Sequence, residues 1–400
     1  MAKRIAKKLT VDVDVLTLAR ARVIRAFERF DTVAVSFSGG KDSTACLNLV
    51  LEEAKSRGIK KVPVFFFDEE AIPYQTEEYV RRVSKDPMVD LRWLCLPVKH
   101  RNGCSREEPW WYPWGPESKS KWVRELPPEA ITHIDGLPTE EKSRLTIPEA
   151  VGLLFNPETD GSVGMVMGIR ADESLTRTRA ILSGGKREDV HIVPWTEGAA
   201  ANRTIFKVYP VYDWATADIW TAPKQFNWDY NRAYDVMTAF GVEPSVQRCA
   251  PPYGEEPMLG LYQFAECFPE IWGKMQSRVA GADSAARYAR TVLYSYNSRP
   301  KKPDGISWQE FLKKWISKHP SPYKATIAKR IKEEINSHYK KTSDPIKQVA
   351  HPLTGIGWDF LVMIAVRGDF KGRKTPDIPA TRGLAAFKSA RAKYDAEKVL

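Results

Sequence analysis

Thr32-Val33-Ala34-Val35-Ser36-Phe37-Ser38-Gly39-Gly40-Lys41-Asp42-Ser43 is the stretch on which the fold turns. A β-branched run ends in a glycine-rich loop. A helical pattern follows from Ser43 to Lys55, with Ala45, Cys46, Leu49, Val50 and Ala54 on one face. A strand, a loop and a helix N-terminus in that order make an anion trap. The glycines let backbone N–H groups approach phosphate, and the helix start adds partial positive charge. The Ser36–Ser43 loop, with Ser36, Ser38, Gly39, Gly40, Lys41, Asp42 and Ser43, is the expected nucleotide-binding element. Ser38 and Ser43 can donate hydroxyls to phosphate oxygens, Lys41 can neutralise charge, and Asp42 suits a first helical turn through the dipole. The hydroxyl and ammonium groups are expected to face phosphate and not the core. The spacing is not that of a Walker loop.

Working outward, Thr10 to Phe30 carries apolar residues on one helical stripe and reads as an opening helix. Apolar runs at Val62–Phe67 and Leu91–Leu96 follow at the interval of a βαβ unit, which implies parallel strands with crossover helices. The rhythm breaks over residues 99–160, an insertion beside the sheet containing Trp110-Trp111-Tyr112-Pro113-Trp114. Those rings read either as a satellite apolar cluster or as a platform that stacks on a base. Strands resume at Val163–Met167 and Ile205–Tyr209, and from about residue 255 the pattern becomes helical. The expected organisation is an α/β nucleotide-binding domain over 1–254 and a mainly helical basic domain over 255–400.

At its loop the chain resembles the PP-loop ATP pyrophosphatase superfamily, and most closely its phosphoadenosine phosphosulfate (PAPS) reductase-like branch. Further elements carry the resemblance: Phe66-Phe67-Asp68, Gly168-Ile169-Arg170-Ala171-Asp172-Glu173-Ser174, Pro210-Val211-Tyr212-Asp213-Trp214 with Asp218-Ile219-Trp220, and Asn231-x-x-Tyr234-Asp235. The resemblance implies an adenine nucleotide alpha hydrolase-like fold, a parallel twisted sheet with flanking helices. It implies ATP or a PAPS-type adenine nucleotide as ligand, Mg2+ with it, and adenylylation of an acceptor with release of pyrophosphate. Lys41 and Arg170 are then the expected catalytic groups, and Asp68, Arg170 and Glu173 join the loop as nucleotide-binding residues. The overall pattern also resembles a phage- and prophage-associated branch of co-activators, in which the nucleotide would be sensed and not turned over, and a nucleic-acid-modifying PP-loop protein is the further alternative.

Local arguments run beside the resemblance. Asp68 closes a buried strand at the sheet edge where open α/β folds hold ligands, a turn aspartate being the alternative. The planar fork of Arg170 suits phosphate or sulfate, with Arg177 and Arg179 one and two turns further on, while an Arg170–Glu173 surface pair is the alternative. Asp213 reads as a cap for the next helix and Trp214 as packing beneath it. The chain departs from the reductases in having no cysteine after Cys267 and no paired cysteine beside Cys249. The thiol reductase step and an iron–sulfur cluster are therefore not expected, and Cys249 reads as a small buried cysteine. The five cysteines and six histidines show no metal-ligand spacing. With no signal-peptide or membrane-spanning run, the expected location is cytoplasmic. Residues 301–400 hold 21 Lys and Arg against 10 Asp and Glu, the whole of the +11 net charge. That excess points to a nucleic acid or a DNA-binding protein as partner, or to a solvated lysine-rich surface; Lys371, Arg373 and Lys374 form one cluster within it.

Overall fold

The computed structural model describes residues 11–105, 107–182, 191–198, 204–253, 260–288, 302–319, 321, 323–367 and, beyond these, 376, 389, 391, 392 and 394–396. The strands are β1 (Thr32–Ser36), β2 (Val62–Phe67), β3 (Val89–Leu94), β4 (His100–Arg101), β5 (Trp110–Trp111), β6 (Val163–Met167), β7 (Ile192–Pro194) and β8 (Ile205–Val208). Six of them form one sheet in the order β3-β2-β1-β6-β8-β7, parallel throughout except that β7 runs antiparallel to β8. β4 and β5 make a separate two-stranded ribbon. The chain steps outward from β1 to β3 and then returns to the other side of β1 with β6. That reversal leaves a crevice at the carboxyl ends of β1 and β6, the place where sheets of this type hold ligands.

Strand alternation sorts the core into two layers. Val33, Val35, Val64 and Phe66 point to one face, against α1 (Val15–Arg29), α2 (Lys41–Ser56), α3 (Tyr74–Val83) and the helix Thr216–Phe226. Ala34, Phe65 and Met165 point to the other, where Leu137, Ala150, Val151 and Phe155 cover them. The expected insertion beside the sheet is thus the second covering layer, and its backbone rejoins the sheet edge where Ile131 donates to Trp93 O at 2.7 Å and accepts from Cys95 N at 2.9 Å. Its tryptophans resolve toward packing: Trp111 and Trp114 are buried, and the Trp114 indole donates to Asp68 O at 2.8 Å.

The chain divides into two compact units, Val11–Ser295 and Tyr296–Leu400, the latter grouped with the first ten residues. Beyond the expected boundary near 255, Leu261, Phe264, Phe268 and Met275 share a cluster with Trp111, Tyr234 and Met237 of the first unit. The second unit has its own core of Phe311, Leu312, Ile327, Ile331, Ile356, Leu361 and Ile364, from the helices Trp308–Ser317, Tyr323–Tyr339 and Trp358–Arg367. Ser307 and Glu310 form a reciprocal capping box at the first of these. The Lys371, Arg373 and Lys374 cluster lies outside the described residues. Among the described residues no helix is long and apolar enough to cross a membrane.

Candidate functional site: the phosphate loop

Ser36 is the last residue of β1, paired with Phe65 on one side and Met167 on the other. The loop leaves the sheet between those neighbours and enters α2 with Gly40 as N-cap. Gly39 has φ +69°, a left-handed conformation that only glycine takes at no steric cost. Gly168, just past β6, is required for a different reason: a Cβ there would lie 2.5 Å from the Asp42 carbonyl carbon and the Ser43 nitrogen. The N-terminus of α2 is therefore seated directly on the backbone after β6. The hydroxyls tie the loop together, with Ser43 Oγ accepting from Ser38 N at 3.2 Å and donating to Gly40 O at 3.0 Å.

Elements far along the chain hold the same loop. Tyr234 Oη accepts from Lys41 N at 2.8 Å, and the Asn231 amide donates to Gly39 O at 2.9 Å and to Thr76 Oγ1 at 2.8 Å. These are the asparagine and tyrosine of the N-x-x-Y-D element, whose role as clamps on the loop the sequence did not show. A helix start leaves its first N–H groups without intrahelical acceptors; among the described residues no protein acceptor meets those of Asp42 and Ser43. Lys41 is only 6 % exposed, with Nζ donating to Gln247 O at 2.9 Å and standing 3.9 Å from Asp42 Oδ2. Burial pulls its ammonium below the ordinary lysine value, opposed by the carboxylates of Asp42 and Glu173. Lys41 and Ser43 are both buried.

Arg170 does not face solvent. At 1 % exposure it donates from Nε to Asp42 and from Nη1 to Trp214 O at 3.3 Å, while Nη2 lies 3.7 Å from Glu173 Oε1. Glu173 also pairs with Arg177, and burial raises its carboxyl above the ordinary value, opposed first by Arg177. The result is a linked set, Lys41–Asp42–Arg170–Glu173–Arg177, in which three cations meet two carboxylates. Asp68 belongs elsewhere. It is buried, with its carboxylate receiving the Trp93 indole at 2.8 Å, Glu70 N at 2.9 Å and the Arg124 guanidinium. None of these partners is in the loop.

Next to Asp68 lies a hub that the sequence did not reveal. Glu70 is fully buried at φ +64°, and its carboxylate accepts from Trp114 N, Val123 N and both Nε and Nη2 of Arg278, at 2.8 to 3.0 Å. Asp213 is another correction, since it does not cap the following helix. It makes a two-pronged pair with Arg22 of α1, 2.7 Å in each arm, while Asp218 Oδ2 accepts from Ala215 N. Trp214 is buried as expected, with its indole donating to Val15 O. Cys249 is buried, and burial pushes its thiol up to about 11 although the Tyr234 hydroxyl and Lys41 pull it back.

Two sequence profiles match the chain: the phosphoadenosine phosphosulfate reductase domain over residues 32–108, and a domain of unknown function, DUF3440, over residues 241–356. Among solved structures, the FMN adenylyltransferase of Candida glabrata, in complex with FAD and inorganic pyrophosphate, is similar at 15 % identity and TM-score 0.34, over 55 % of this chain and 58 % of that one. The phosphoadenylyl-sulfate reductase of Candida auris, in a phosphate complex, is similar at 14 % identity and TM-score 0.28, over 58 % of this chain and 94 % of that one. The chain spans a little over half the length of the first of these. A curated relative is much nearer: a protein of Escherichia coli K12, uncharacterized protein YbdN, is 34 % identical over 315 residues, 76 % of this chain and 75 % of the relative. With the loop, the sheet and the reductase-domain match in agreement, the chain belongs to the PAPS reductase-like PP-loop proteins, in the family of YbdN.

Proposed function

We propose that the loop from Ser36 to Ser43 holds the phosphates of ATP or a PAPS-type adenine nucleotide, and that the protein catalyses chemistry at the nucleotide's α-phosphate with release of pyrophosphate. One observation carries the reading: the N-terminus of α2, with the N–H groups of Asp42 and Ser43 unclaimed and a buried ammonium beside them, opens at the switch point of the sheet. The surplus cation of the Lys41–Arg177 set supports an anionic ligand. Lys41 and the first-turn N–H groups hold the departing pyrophosphate, where charge grows as the bond from the α-phosphorus breaks. Arg170 acts as a positioning residue while its Nε holds Asp42, and becomes a phosphate contact when the nucleotide draws it away. Among the described residues no group of three or more His, Cys, Asp or Glu is disposed to hold a metal. Mg2+ fits this site in its usual mode, carried by phosphates and water with few protein ligands.

Calorimetry on a Lys41→Met, Ser43→Ala double variant tests the reading, methionine being chosen to fill the buried volume. The expected result is loss of ATP and PAPS binding in a protein whose circular dichroism is unchanged. Retained affinity in the folded variant would remove the assignment. A second reading, a nucleotide-sensing regulator of the phage-associated kind, is favoured by the separate basic unit, on which Lys313, Lys314, Lys324, Lys329, Lys332, Lys340 and Lys341 are exposed. In that reading the unit binds a nucleic acid or a DNA-binding protein. The five cysteines are free and buried, which supports a reducing, cytoplasmic setting.

A further inference from the structure

Beyond Glu173 the first unit contains a cavity of about 400 Å3, within the range of small-molecule sites. Its wall is mostly apolar, with Met237, Val242, Phe264 and Phe268, and two charged groups reach it, Glu173 and Arg248. The carboxylate already has partners in Arg170 and Arg177. Arg248, half-buried on the wall, makes no hydrogen bond or close ion pair among the described residues, and its charge acts on the Glu173 carboxylate from a distance. A guanidinium offers five donors in a planar fork matched to a carboxylate or phosphate.

The cavity adjoins the phosphate loop. Glu173, on its wall, is one member of the ion-pair set that includes Asp42. Arg248 follows Gln247, whose carbonyl receives the Lys41 ammonium. Two sites are therefore joined by two short paths, one through ion pairs and one through the Lys41–Gln247 hydrogen bond: a set of phosphate donors and an apolar chamber with one cation that makes no hydrogen bond. We infer that the chamber is the acceptor site, taking a small organic anion with an apolar, ring-sized body whose carboxylate or phosphate docks on Arg248. Its role as acceptor rests on the nucleotide reading above; its capacity to bind the anion does not.

Calorimetry with 4-methylbenzoate, and with 4-methylbenzyl alcohol as the uncharged counterpart, tests this on the full chain. The expected result is saturable binding of the benzoate, weakened at least ~10-fold by Arg248→Gln, as befits loss of a charged hydrogen bond, with the alcohol unaffected. Ser245→Trp, an exposed wall position, should block both. Lys41→Met should leave benzoate binding in place. No saturable benzoate binding in the wild type, equal affinity in Arg248→Gln, or loss in Lys41→Met with retention in Arg248→Gln would each overturn the inference. Titrating a non-hydrolysable ATP analogue into the same samples keeps the two readings apart, because its binding reports the loop and the benzoate reports the chamber.

Discussion

At the scale of single residues, the contact after β6 is the most exacting in the site. Gly168→Ala would drive a methyl group into the backbone of Asp42 and Ser43, neither of which can rotate away. The expected outcome is a loss of ~1–3 kcal/mol in thermal unfolding, the usual cost of overpacking, with a larger relative loss of nucleotide affinity if the displaced atoms form the proposed phosphate cradle. Glu69 sets a pH dependence. Burial and the adjacent Asp68 carboxylate push it up to about 8, with His100 Nδ1 3.7 Å away. Its folded value is raised, so its contribution to stability is complete below the ordinary glutamate value of 4.5 and is lost as pH rises through about 8. Glu69→Gln should flatten the stability profile over that window in denaturant titrations; an unchanged slope would reject the assignment. The loop residues were legible in the sequence because each answers a local need: φ at Gly39, the helix start at Gly40, the first-turn carboxylate at Asp42. The destination of the Arg170 fork was not, because a guanidinium after a strand suits a phosphate and a buried carboxylate equally well.

At the scale of elements, the insertion between β3 and β6 is bound into the fold from both ends of its path. Glu70, at the exit of β2, gathers the backbone of Trp114 and Val123 together with the helix Pro269–Arg278. Removing one partner of a buried ion pair leaves the other uncompensated, at a cost of ~3–5 kcal/mol. Glu70→Gln and Arg278→Met are each expected to fall in that range. The double variant should lose less than the two added together, a coupling that urea denaturation in a double-mutant cycle reads directly. Strand periodicity located β1, β2 and β6 where the structure has them. It placed β3 two residues late, since Val89 and Asp90 pair with β2 before the apolar run begins. β7 was missed, being three residues long and antiparallel at the edge. The covering role of residues 99–160 could not be read either, because short turns and single apolar side chains carry no period of their own.

At the scale of the molecule, composition showed a basic last quarter but not where the core of that unit begins. The helices before Ser295 have the same apolar periodicity as those after it, and only their partners, Tyr234 and Trp111 among them, assign them to the first unit. If the exposed lysines of the second unit meet a polyanion, affinity for DNA or RNA should fall steeply with salt through counterion release. Replacing Lys324, Lys329 and Lys332 by glutamate should cut that affinity while ATP binding holds, since these lysines belong to the unit with its own core and not to the one that carries the loop. Gel shifts across a salt series, with calorimetry beside them, measure both; binding indifferent to salt would assign the lysines to a solvated face. The clamps on the phosphate loop bear on how the protein is made. Lys41 and Tyr234, which share a hydrogen bond, are 193 positions apart. A ribosome finishes β1, the loop and α2 long before it reaches Asn231, Tyr234 and Gln247. Until then the nascent chain carries the glycine loop without the groups that shape it, so the loop takes its final form late in translation, when the second half of the unit folds back onto the first.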